Sequence, residues 1–343
     1  MNQLAKFCKD LKKNIKIKVK DPKKPVSYWS EKDVLKGKIV DTFVIIFRTK
    51  GCSWALHSGC SMCGYFNDSM FENVSDEDIF TQFEKSMEGY SDQKFVKIFT
   101  SGSFLDDKEI SSYIRNKILS KLYKTAEKVS VESRPEYITD KKLYEIKKIS
   151  KEKIFEIGIG LETANDEIRE KYLNKGFSYN DYFKATKLLK KYNFKLKTYV
   201  LIKPPFLTEK ESIDEAIKTV EKIKDITDIV SFNPTNVQRN TLVEFLWKRK
   251  EYRPPYLFSV VEILKESKKI AKNKRIKCDI SGGGSIRGPH NCKNCDRKYL
   301  NAIADFSLNQ DIKIFEELNC ECKEKWLDLL DIEHLSFGSI IDI

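Results

Sequence analysis

Strand-like apolar runs alternate with amphipathic helical stretches along most of this chain. Six runs have the length and the β-branched or aromatic content of buried strands, and each is followed by a loop and a charged segment with helical periodicity. Consecutive βα units cross over with one hand, so the pattern predicts an α/β fold in which six units, (βα)6, form a partial barrel. A doubly wound open sheet is the alternative. The predicted strands are residues 42–47, 95–100, 129–133, 155–161, 196–202 and 229–233.

A glycine-bracketed loop with three cysteines follows the first predicted strand. The loop reads GCSWALHSGCSMCGY and contains Cys52, Cys60 and Cys63. A [4Fe–4S] cluster held by three thiolates leaves one iron open to bind and activate a small molecule, whereas four thiolates close the site. The spacing C-x7-C-x2-C also allows a zinc knuckle in which His57 serves as a fourth ligand.

Small and charged residues follow the next three predicted strands. Ligands bind at the carboxyl ends of parallel strands, so these residues are candidates for the same site. Taken singly, each motif is typical of a plain turn or a surface ion pair. The candidates are Ser101, Gly102 and Ser103 after the second strand, Glu132 and Arg134 after the third, and Glu162 after the fourth.

A second group of cysteines near the end of the chain has the pattern C-x2-C-x24-C-x-C. Four thiolates in two close pairs are typical of a tetrahedral zinc site, with His290 as a substitute for one of them. A second iron–sulfur cluster is the competing interpretation, because four cysteines suit it equally well. The sequence therefore predicts a C-terminal metal-binding extension with four cysteine ligands, formed by Cys292, Cys295, Cys320 and Cys322.

The chain is basic, with 63 lysines and arginines against 51 acidic residues, a net charge of +12 and a pI near 9.0. This excess favours a polyanionic partner. The best nucleic-acid-binding candidate is the segment 237–256, although a solvated helix explains it nearly as well. Without a membrane span or a signal peptide, we expect a cytoplasmic protein. The segment interleaves basic and aromatic residues, namely Arg239, Trp247, Lys248, Arg249, Lys250, Tyr252, Arg253 and Tyr256.

These patterns divide the chain into four regions. A basic N-terminal helix and arm precede the barrel, a basic and aromatic segment with a helix completes the barrel edge, and a zinc-binding extension follows. Three glycines at 282–284, near Arg287, are either a phosphate cradle or a hinge into the extension. The predicted regions are 1–40, 41–234, 235–280 and 281–343.

The order of these motifs over about residues 41–234 resembles that of radical S-adenosylmethionine (SAM) enzymes. The resemblance implies that the three loop cysteines bind a [4Fe–4S] cluster, whose open iron chelates SAM and whose electron yields a 5′-deoxyadenosyl radical. It implies no catalytic residue apart from the cluster ligands. The first cysteine gap is longer than usual, and methionine stands where an aromatic residue is common. The implied SAM contacts are Met62, Gly64, Tyr65, Ser101, Gly102, Ser103, Glu132, Arg134 and Glu162.

A narrower resemblance rests on motifs outside the SAM site. The stretches GCSWALHSGCSMCGYFND, NPTNVQRNTLVEFLW, YRPPYLFS, GPHNCKNCD and LNCECKEKW resemble the radical SAM subunits of archaeosine synthase. This family implies a partner enzyme that attaches lysine to 7-cyano-7-deazaguanine at position 15 of archaeal tRNA. The radical SAM subunit would then split the carbon–nitrogen bond of the lysine side chain and leave archaeosine. The implied partners are tRNA, the lysine-transferring subunit and a reductant for the cluster.

Three other functions fit parts of the pattern. A tRNA methylthiotransferase needs three more cluster cysteines before the barrel, but only Cys8 precedes Cys52. An Elongator-type acetyltransferase needs a further domain after the barrel. A non-catalytic iron–sulfur and zinc RNA-binding module would share both cysteine groups without SAM chemistry.

Overall fold

The computed structural model describes residues 2–13, 20–70, 74–333 and 335, and within these ranges it contains one eight-stranded sheet. The strands lie side by side in chain order. The first pairs antiparallel with the second, and all later neighbours are parallel. The strands are β1 (Ser27–Leu35), β2 (Lys38–Ile46), β3 (Phe95–Phe99), β4 (Lys128–Glu132), β5 (Ile154–Glu162), β6 (Lys195–Ile202), β7 (Ile229–Pro234) and β8 (Arg275–Cys278).

Helices follow the strands and cover the outer face of the sheet. Ser75, Ser178 and Thr208 each begin a helix with a capping box, in which the side chain and the third helical residue satisfy each other's backbone N–H groups. In the described part of the chain the helices are α1 (Gln3–Lys13), α2 (Ser53–His57), α3 (Asp76–Met87), α4 (Ser112–Leu122), α5 (Asp140–Ser150), α6 (Asp166–Lys171), α7 (Tyr179–Lys191), α8 (Glu209–Ile223), α9 (Leu242–Lys248), α10 (Leu257–Ile270), α11 (Asp296–Asn309) and α12 (Lys323–Glu333).

The two faces of the sheet differ in chemistry. On β4, Val129 and Val131 are fully buried in the apolar core that they share with the helices, whereas the intervening Lys128 and Ser130 face the inner side. The same alternation continues on the other strands, although Phe95 on β3 also faces inward, with the ammonium groups of Lys97 and Lys128 5.4 Å and 4.1 Å from its ring. The apolar core therefore lies between sheet and helices, and the inner face is mostly polar.

The prediction of a partial barrel is confirmed, and the doubly wound alternative is wrong because the strand order is sequential. Each of the six predicted parallel strands is present, with ends that differ by a few residues. Strand β8 lies near the end of the predicted region 235–280. The sequence does not predict β1, which lies in the region expected to be an arm. The division into four regions stays a prediction. Residues 1 and 14–19 of its first region, 71–73 of its second, and 334 and 336–343 of its last lie outside the described residues.

A single buried carboxylate joins the two edges of the sheet. Asp33 on β1 forms ion pairs with Lys97 on β3, with Arg275 on β8 at 2.7 Å and with Lys277 on β8 at 3.6 Å. Its side chain is only 5% exposed. Burial alone would raise the pKa of Asp33, but the surrounding cations outweigh burial and lower it. The sheet therefore curls far enough for β1 and β8 to share a counter-ion.

None of the helices in the described part of the chain is both long and apolar enough to cross a lipid bilayer.

Replacing Asp33 with Asn should destabilise the barrel, because three buried cations lose their shared counter-ion. We expect the free energy of unfolding to fall by about 3–5 kcal/mol. Anaerobic urea unfolding followed by far-UV circular dichroism measures it. Because the folded-state pKa is depressed, the stabilisation by Asp33 is present above its unfolded pKa of about 3.9 and is lost as the pH falls below that value.

The matched control is Asp41→Asn, which breaks the exposed pair with Lys32 (2.8 Å, with side chains 63% and 58% exposed). It should cost less than about 1 kcal/mol. Equal effects of the two substitutions would contradict the role given to Asp33.

Candidate active site at the carboxyl ends of the strands

The cysteine loop after β2 is fixed by contacts with a distant part of the chain. The indole N–H of Trp54 donates to the carbonyl of Asn174 at 2.7 Å, and the amide of Asn174 donates to the carbonyl of Gly59 at 2.7 Å. Asn174 also donates to the hydroxyl of Ser58 at 3.0 Å. The hydroxyl of Ser61 donates to the carbonyl of Tyr172 at 2.7 Å. Together these bonds attach both halves of the loop to the segment 172–174, so the loop has a defined shape.

The three loop cysteines converge at this position. Cys52 precedes α2, and the N–H of Cys63 donates to the carbonyl of Cys60 at 3.4 Å. Burial, followed by repulsion from Cys60, raises the pKa of the Cys63 thiol to about 12, and burial also raises that of Cys52. Binding of a metal here must release protons, because thiolates are the ligands.

Cations surround the loop and favour negative charge on it. Lys12 of α1 donates to the carbonyls of Ser58 at 2.6 Å and Ala55 at 3.2 Å, and its charge acts on all three loop thiols. Arg134 and Lys175 interact electrostatically with Cys60 from the barrel side. A thiolate-bound cluster carries net negative charge, so three buried or half-buried cations offset the cost of placing it here.

Gly102, near the start of the loop after β3, lies directly against the first cysteine. A Cβ at this position would stand 2.6 Å from the Cα of Cys52 and would also clash with the carboxylate of Glu109. Only glycine therefore permits the cysteine loop to pack against this strand end. Ser101 is its half-buried neighbour.

Glu109 fixes the loop after β3 through hydrogen bonds. Its carboxylate accepts hydrogen bonds from the hydroxyl of Thr49 and the backbone N–H of Ser103, both at 2.5 Å. The side chain is buried, and desolvation raises the pKa of Glu109 to about 7 despite these bonds. Ser103 in turn accepts from the backbone N–H of Arg134 at 3.1 Å, which links the β3 and β4 loops.

Arg134 presents an unused donor toward the cysteines. Its guanidinium lies 5.3 Å from the Trp54 ring and 5.2 Å from the Phe177 ring, and its Nε donates to Glu136 at 2.5 Å. The side chain is 9% exposed, yet its Nη2 has no hydrogen-bond partner among the described residues. A buried donor of this kind costs free energy unless a ligand satisfies it. The group fits an anion such as a carboxylate.

The other predicted polar contacts are already engaged with the protein. Glu162 ends β5 with a φ of +67° and pairs with Lys175 at 2.5 Å. Glu132 ends β4 and accepts a hydrogen bond from the phenol of Tyr199, while burial raises its pKa. The structure brings Glu132 and Glu162 to the mouth of the barrel beside the loop. Their contact with SAM stays a prediction.

The remaining predicted contacts lie on the cysteine loop itself. Met62 is buried in a small apolar cluster with Leu201 and Val237. The N–H of Gly64 donates to the side chain of Gln238, which closes the loop from the α9 side. Burial raises the pKa of Tyr65, and the nearby Cys63 and Glu132 raise it further. The side chain is nevertheless 58% exposed, so its ring lies in an open space at the barrel mouth.

The C-terminal cysteines form a compact group. The Sγ–Sγ distances are 3.5 Å between Cys292 and Cys295, 3.7 Å between Cys292 and Cys320, 3.8 Å between Cys295 and Cys322, and 3.4 Å between Cys320 and Cys322. Four thiolates about 2.3 Å from one ion in a tetrahedron are about 3.8 Å apart. The group is therefore able to bind a metal, and its dimensions suit one ion.

Neither histidine considered as a ligand belongs to a group of described side chains close enough to hold a single ion. His57 is exposed at the end of α2, with its ring 5.3 Å from that of Trp54. The ring of His290 contacts the carbonyl of Gly288 and the guanidinium of Arg253. Among the described residues, the group of side chains close enough to hold a single ion consists of the four C-terminal cysteines alone.

The basic and aromatic segment has two different faces. Tyr252, Arg253 and Tyr256 are buried, and the hydroxyl of Tyr252 donates to the carbonyl of Lys203 at 2.7 Å. Toward solvent the segment presents Arg239, Phe245, Lys248, Arg249 and Lys250. The glycine run 282–284 is largely exposed, while Arg287 pairs with Glu244 at 2.7 Å.

Comparison with known proteins decides the family. Residues 46–220 match the model of the radical SAM superfamily. The chain is 39% identical to archaeosine synthase subunit beta of Methanosarcina acetivorans over 344 residues, which cover 98% of this chain and 99% of that one. The protein belongs to the radical SAM superfamily and to the family of archaeosine synthase subunit beta. The subunit beta of Thermococcus kodakarensis is 39% identical over 308 residues, covering 88% of this chain and 95% of its own.

Solved structures also resemble part of this radical SAM protein. The archaeal Elp3 of Methanocaldococcus infernus, with an N-terminal deletion, has a TM-score of 0.48 and 21% identity, covering 68% of this chain and 58% of that chain. Membership in the superfamily implies a [4Fe–4S] cluster and SAM. The site fits both groups, since three thiols converge beside an unsatisfied guanidinium and a glycine-lined strand end.

Sequence reasoning missed the residues that support this radical SAM site. Lys12, Glu109, Asn174, Lys175 and Tyr199 each contact the cysteine loop or a predicted SAM contact. They share no motif. Glu109 lies in the loop after β3, and Asn174 and Lys175 are neighbours in the loop after α6, but nothing in the local sequence marks them as site residues.

Replacing Gly102 with Ala should impair assembly of the cluster site, because the added methyl group meets the backbone of Cys52. Overpacking of this kind costs about 1–3 kcal/mol, so we expect less bound iron and a weaker brown chromophore after anaerobic reconstitution. Iron analysis and absorbance measure the change. Ser101→Ala, one residue away, is the control and should retain the wild-type iron content; a Gly102→Ala protein with full iron would show that this contact is unimportant.

Proposed function

We propose that this protein is the radical SAM subunit of an archaeosine synthase. It would cleave the carbon–nitrogen bond of the lysine side chain in a lysine–7-deazaguanine adduct at position 15 of tRNA and thereby form archaeosine. One observation carries the reaction class: three loop thiols converge at the barrel mouth next to the unsatisfied guanidinium of Arg134. The substrate is supported by the 39% identity, over nearly the whole of both chains, with archaeosine synthase subunit beta.

Each group of residues has a defined part in this proposal. Cys52, Cys60 and Cys63 would hold the [4Fe–4S] cluster, and Arg134 would bind the carboxylate of SAM. Gly102 leaves backbone accessible beside Cys52, where the amino group of SAM would lie. The bound cluster and SAM supply a 5′-deoxyadenosyl radical, which removes a hydrogen atom from the lysine portion of the substrate.

The protein's own contribution is positioning and exclusion of water. Helix α1 packs over the cysteine loop through Lys12 and through the buried Cys8, which lies near Cys60. The Phe7 ring meets Phe245 of α9 at 5.1 Å and extends this cover. A radical intermediate needs such shielding, because it reacts with whatever is nearby. The proposed mechanism needs no separate acid or base.

The surface beside the loop suits tRNA. On α9 and the turn after it, exposed basic residues flank Phe245, and α1 adds further lysines next to them. Phosphate contacts from these side chains and stacking on the exposed ring would hold a nucleotide near the barrel mouth. The lysine-transferring subunit would supply the modified tRNA, and a reductant would supply the electron. The basic residues are Lys6, Lys9, Lys13, Arg239, Lys248, Arg249 and Lys250.

An anaerobic assay with reduced protein, SAM and tRNA that carries the lysine adduct tests the proposal. We expect 5′-deoxyadenosine and archaeosine to form together, as measured by liquid chromatography with mass spectrometry. Changing any one of Cys52, Cys60 and Cys63 to Ala should abolish both products, because the cluster then lacks a ligand. Cys8→Ala should remain active, since we place no cluster bond on Cys8.

The outcomes separate the alternatives. A non-catalytic iron–sulfur and RNA-binding module would form no 5′-deoxyadenosine. Formation of 5′-deoxyadenosine without archaeosine would retain SAM chemistry but contradict the substrate. Loss of the cluster in Cys8→Ala would indicate four thiolate ligands, and it would contradict a site with an open iron.

We also propose that the C-terminal group binds zinc. Metal analysis of anaerobically purified protein should give about four iron and one zinc per chain. Cys320→Ser should lose the zinc and keep the iron, because the two sites use different elements of the fold. Additional iron in place of zinc would contradict this assignment and would support a second cluster.

A further inference from the structure

The inner face of the barrel is lined by charged side chains. Strand alternation directs them into the lumen, below the cysteine loop, and six of the ten are buried. Such charges cost several kcal/mol each unless they are paired or bind a ligand. The cations are Lys97, Lys128, Lys197, Arg275 and Lys277, and the carboxylates are Glu31, Asp33, Glu132, Glu156 and Asp279.

Four of the five cations have a close carboxylate. Lys97 lies 2.6 Å from Glu31, and Lys128 lies 2.6 Å from Glu156. On β8, Arg275 lies 2.7 Å from Asp33, and Lys277 lies 3.2 Å from Asp279. These distances are those of direct, charge-assisted hydrogen bonds, so the four cations are satisfied by the fold itself.

Lys197 on β6 is the exception. In the described part of the chain its ammonium has no nearer acceptors than the hydroxyl of Ser130 at 3.5 Å and the carboxylate of Glu156 at 3.7 Å, and Glu156 is already bound to Lys128. Its side chain is 5% exposed. Burial, with repulsion from Lys277 and Lys97, lowers the pKa of Lys197. The rings of Tyr199 and Phe99 also flank the ammonium, at 4.9 Å and 5.9 Å. The fold therefore leaves this buried cation with only distant acceptors and no carboxylate of its own.

Lys197 lies on a path that leads down from the cysteine loop. Tyr65, two residues after Cys63, lies within electrostatic range of Glu132 at the end of β4. Gly158 pairs in register with both Glu132 and Lys197. A Cβ at Gly158 would stand 2.7 Å from the ring of Tyr199 and 3.2 Å from the Cε of Lys197, so the glycine leaves room for both side chains in the lumen.

The lumen is open at this level. Asp279, beyond the end of β8, also faces inward, since it accepts from Ser231 at 3.3 Å and pairs with Lys277. Nevertheless its side chain is 57% exposed. Its charge and that of Lys197 interact across the lumen. An accessible carboxylate therefore stands within electrostatic reach of an under-partnered ammonium.

We propose that the lumen binds the α-amino acid end of the substrate's lysine portion, with its carboxylate on Lys197 and its α-ammonium on Asp279. This inference rests on the proposed function and specifies how the substrate is recognised. A zwitterion is complementary to a lumen with five cations and five carboxylates, because it adds no net charge. Bound in this way, the lysine chain would extend from the lumen toward the cysteine loop.

Synthetic substrates that differ in one charged group test this recognition. One nucleotide adduct carries lysine, a second carries 1,5-diaminopentane, which lacks the carboxylate, and a third carries 6-aminohexanoate, which lacks the α-amino group. We expect the wild type to prefer lysine over each analogue by about 10- to 100-fold in kcat/KM, the value of one buried charged hydrogen bond.

Two substitutions assign the charges. Lys197→Met should remove the preference for lysine over diaminopentane, and Asp279→Asn should remove the preference for lysine over 6-aminohexanoate. Each should leave the other preference intact. Iron content and cluster absorbance show whether the variant is assembled. Lys195→Met is the control, because Lys195 lies two residues earlier on the same strand but is 49% exposed and pairs with Asp228 at 2.9 Å.

The results separate this inference from the proposed function. If the wild type converts none of the adducts, the proposed function fails. If the wild type converts the lysine adduct but shows no preference over either analogue, only this inference fails. It also fails if assembled Lys197→Met and Asp279→Asn proteins discriminate as the wild type does. If Lys197→Met does not assemble, the substrate preferences of the wild type and of Asp279→Asn still test the inference.

Discussion

The parallel direction of seven strands is the constraint on which the rest of the structure depends. Because β2 to β8 all point the same way, the loops that follow them meet at one edge. The cysteine loop, the Gly102 turn, Arg134 and Glu162 are far apart in sequence but adjacent there. Packing at this edge is tight, because the backbone of Cys52 lies where a Cβ on residue 102 would otherwise stand.

The same sheet separates two environments. Its outer face buries an apolar core against helices, while its inner face holds charges that water cannot freely solvate. Asp33 satisfies three of these charges and connects the sheet edges, so it stabilises the curvature that creates the lumen. Lys197 is not satisfied in this way. The lumen is balanced in charge, but Lys197 lacks a close carboxylate. A zwitterionic ligand would supply that carboxylate without changing the net charge of the lumen.

Local sequence patterns predict the frame of this protein and only part of its site. The six parallel strands follow from apolar periodicity, and the two cysteine groups follow from spacing, because both signals lie within short stretches. Strand β1 escapes prediction, since its sequence SYWSEKDVL directs charged residues inward and lacks the usual apolar alternation. Lys12 and Glu109 also escape it, because their contacts depend on folding rather than on neighbours in the chain. The sequence also does not predict which residues of segment 237–256 are buried, because the burial of Arg253 depends on tertiary packing.

Electron paramagnetic resonance of the reduced protein, with and without SAM, tests the central claim most directly. That claim is that three thiolates hold a [4Fe–4S] cluster whose fourth iron is open to SAM. The account predicts a signal from a reduced [4Fe–4S] cluster whose g values shift when SAM is added, because SAM binds the open iron. A reduced protein with no such signal, or with a signal that SAM leaves unchanged, would contradict it.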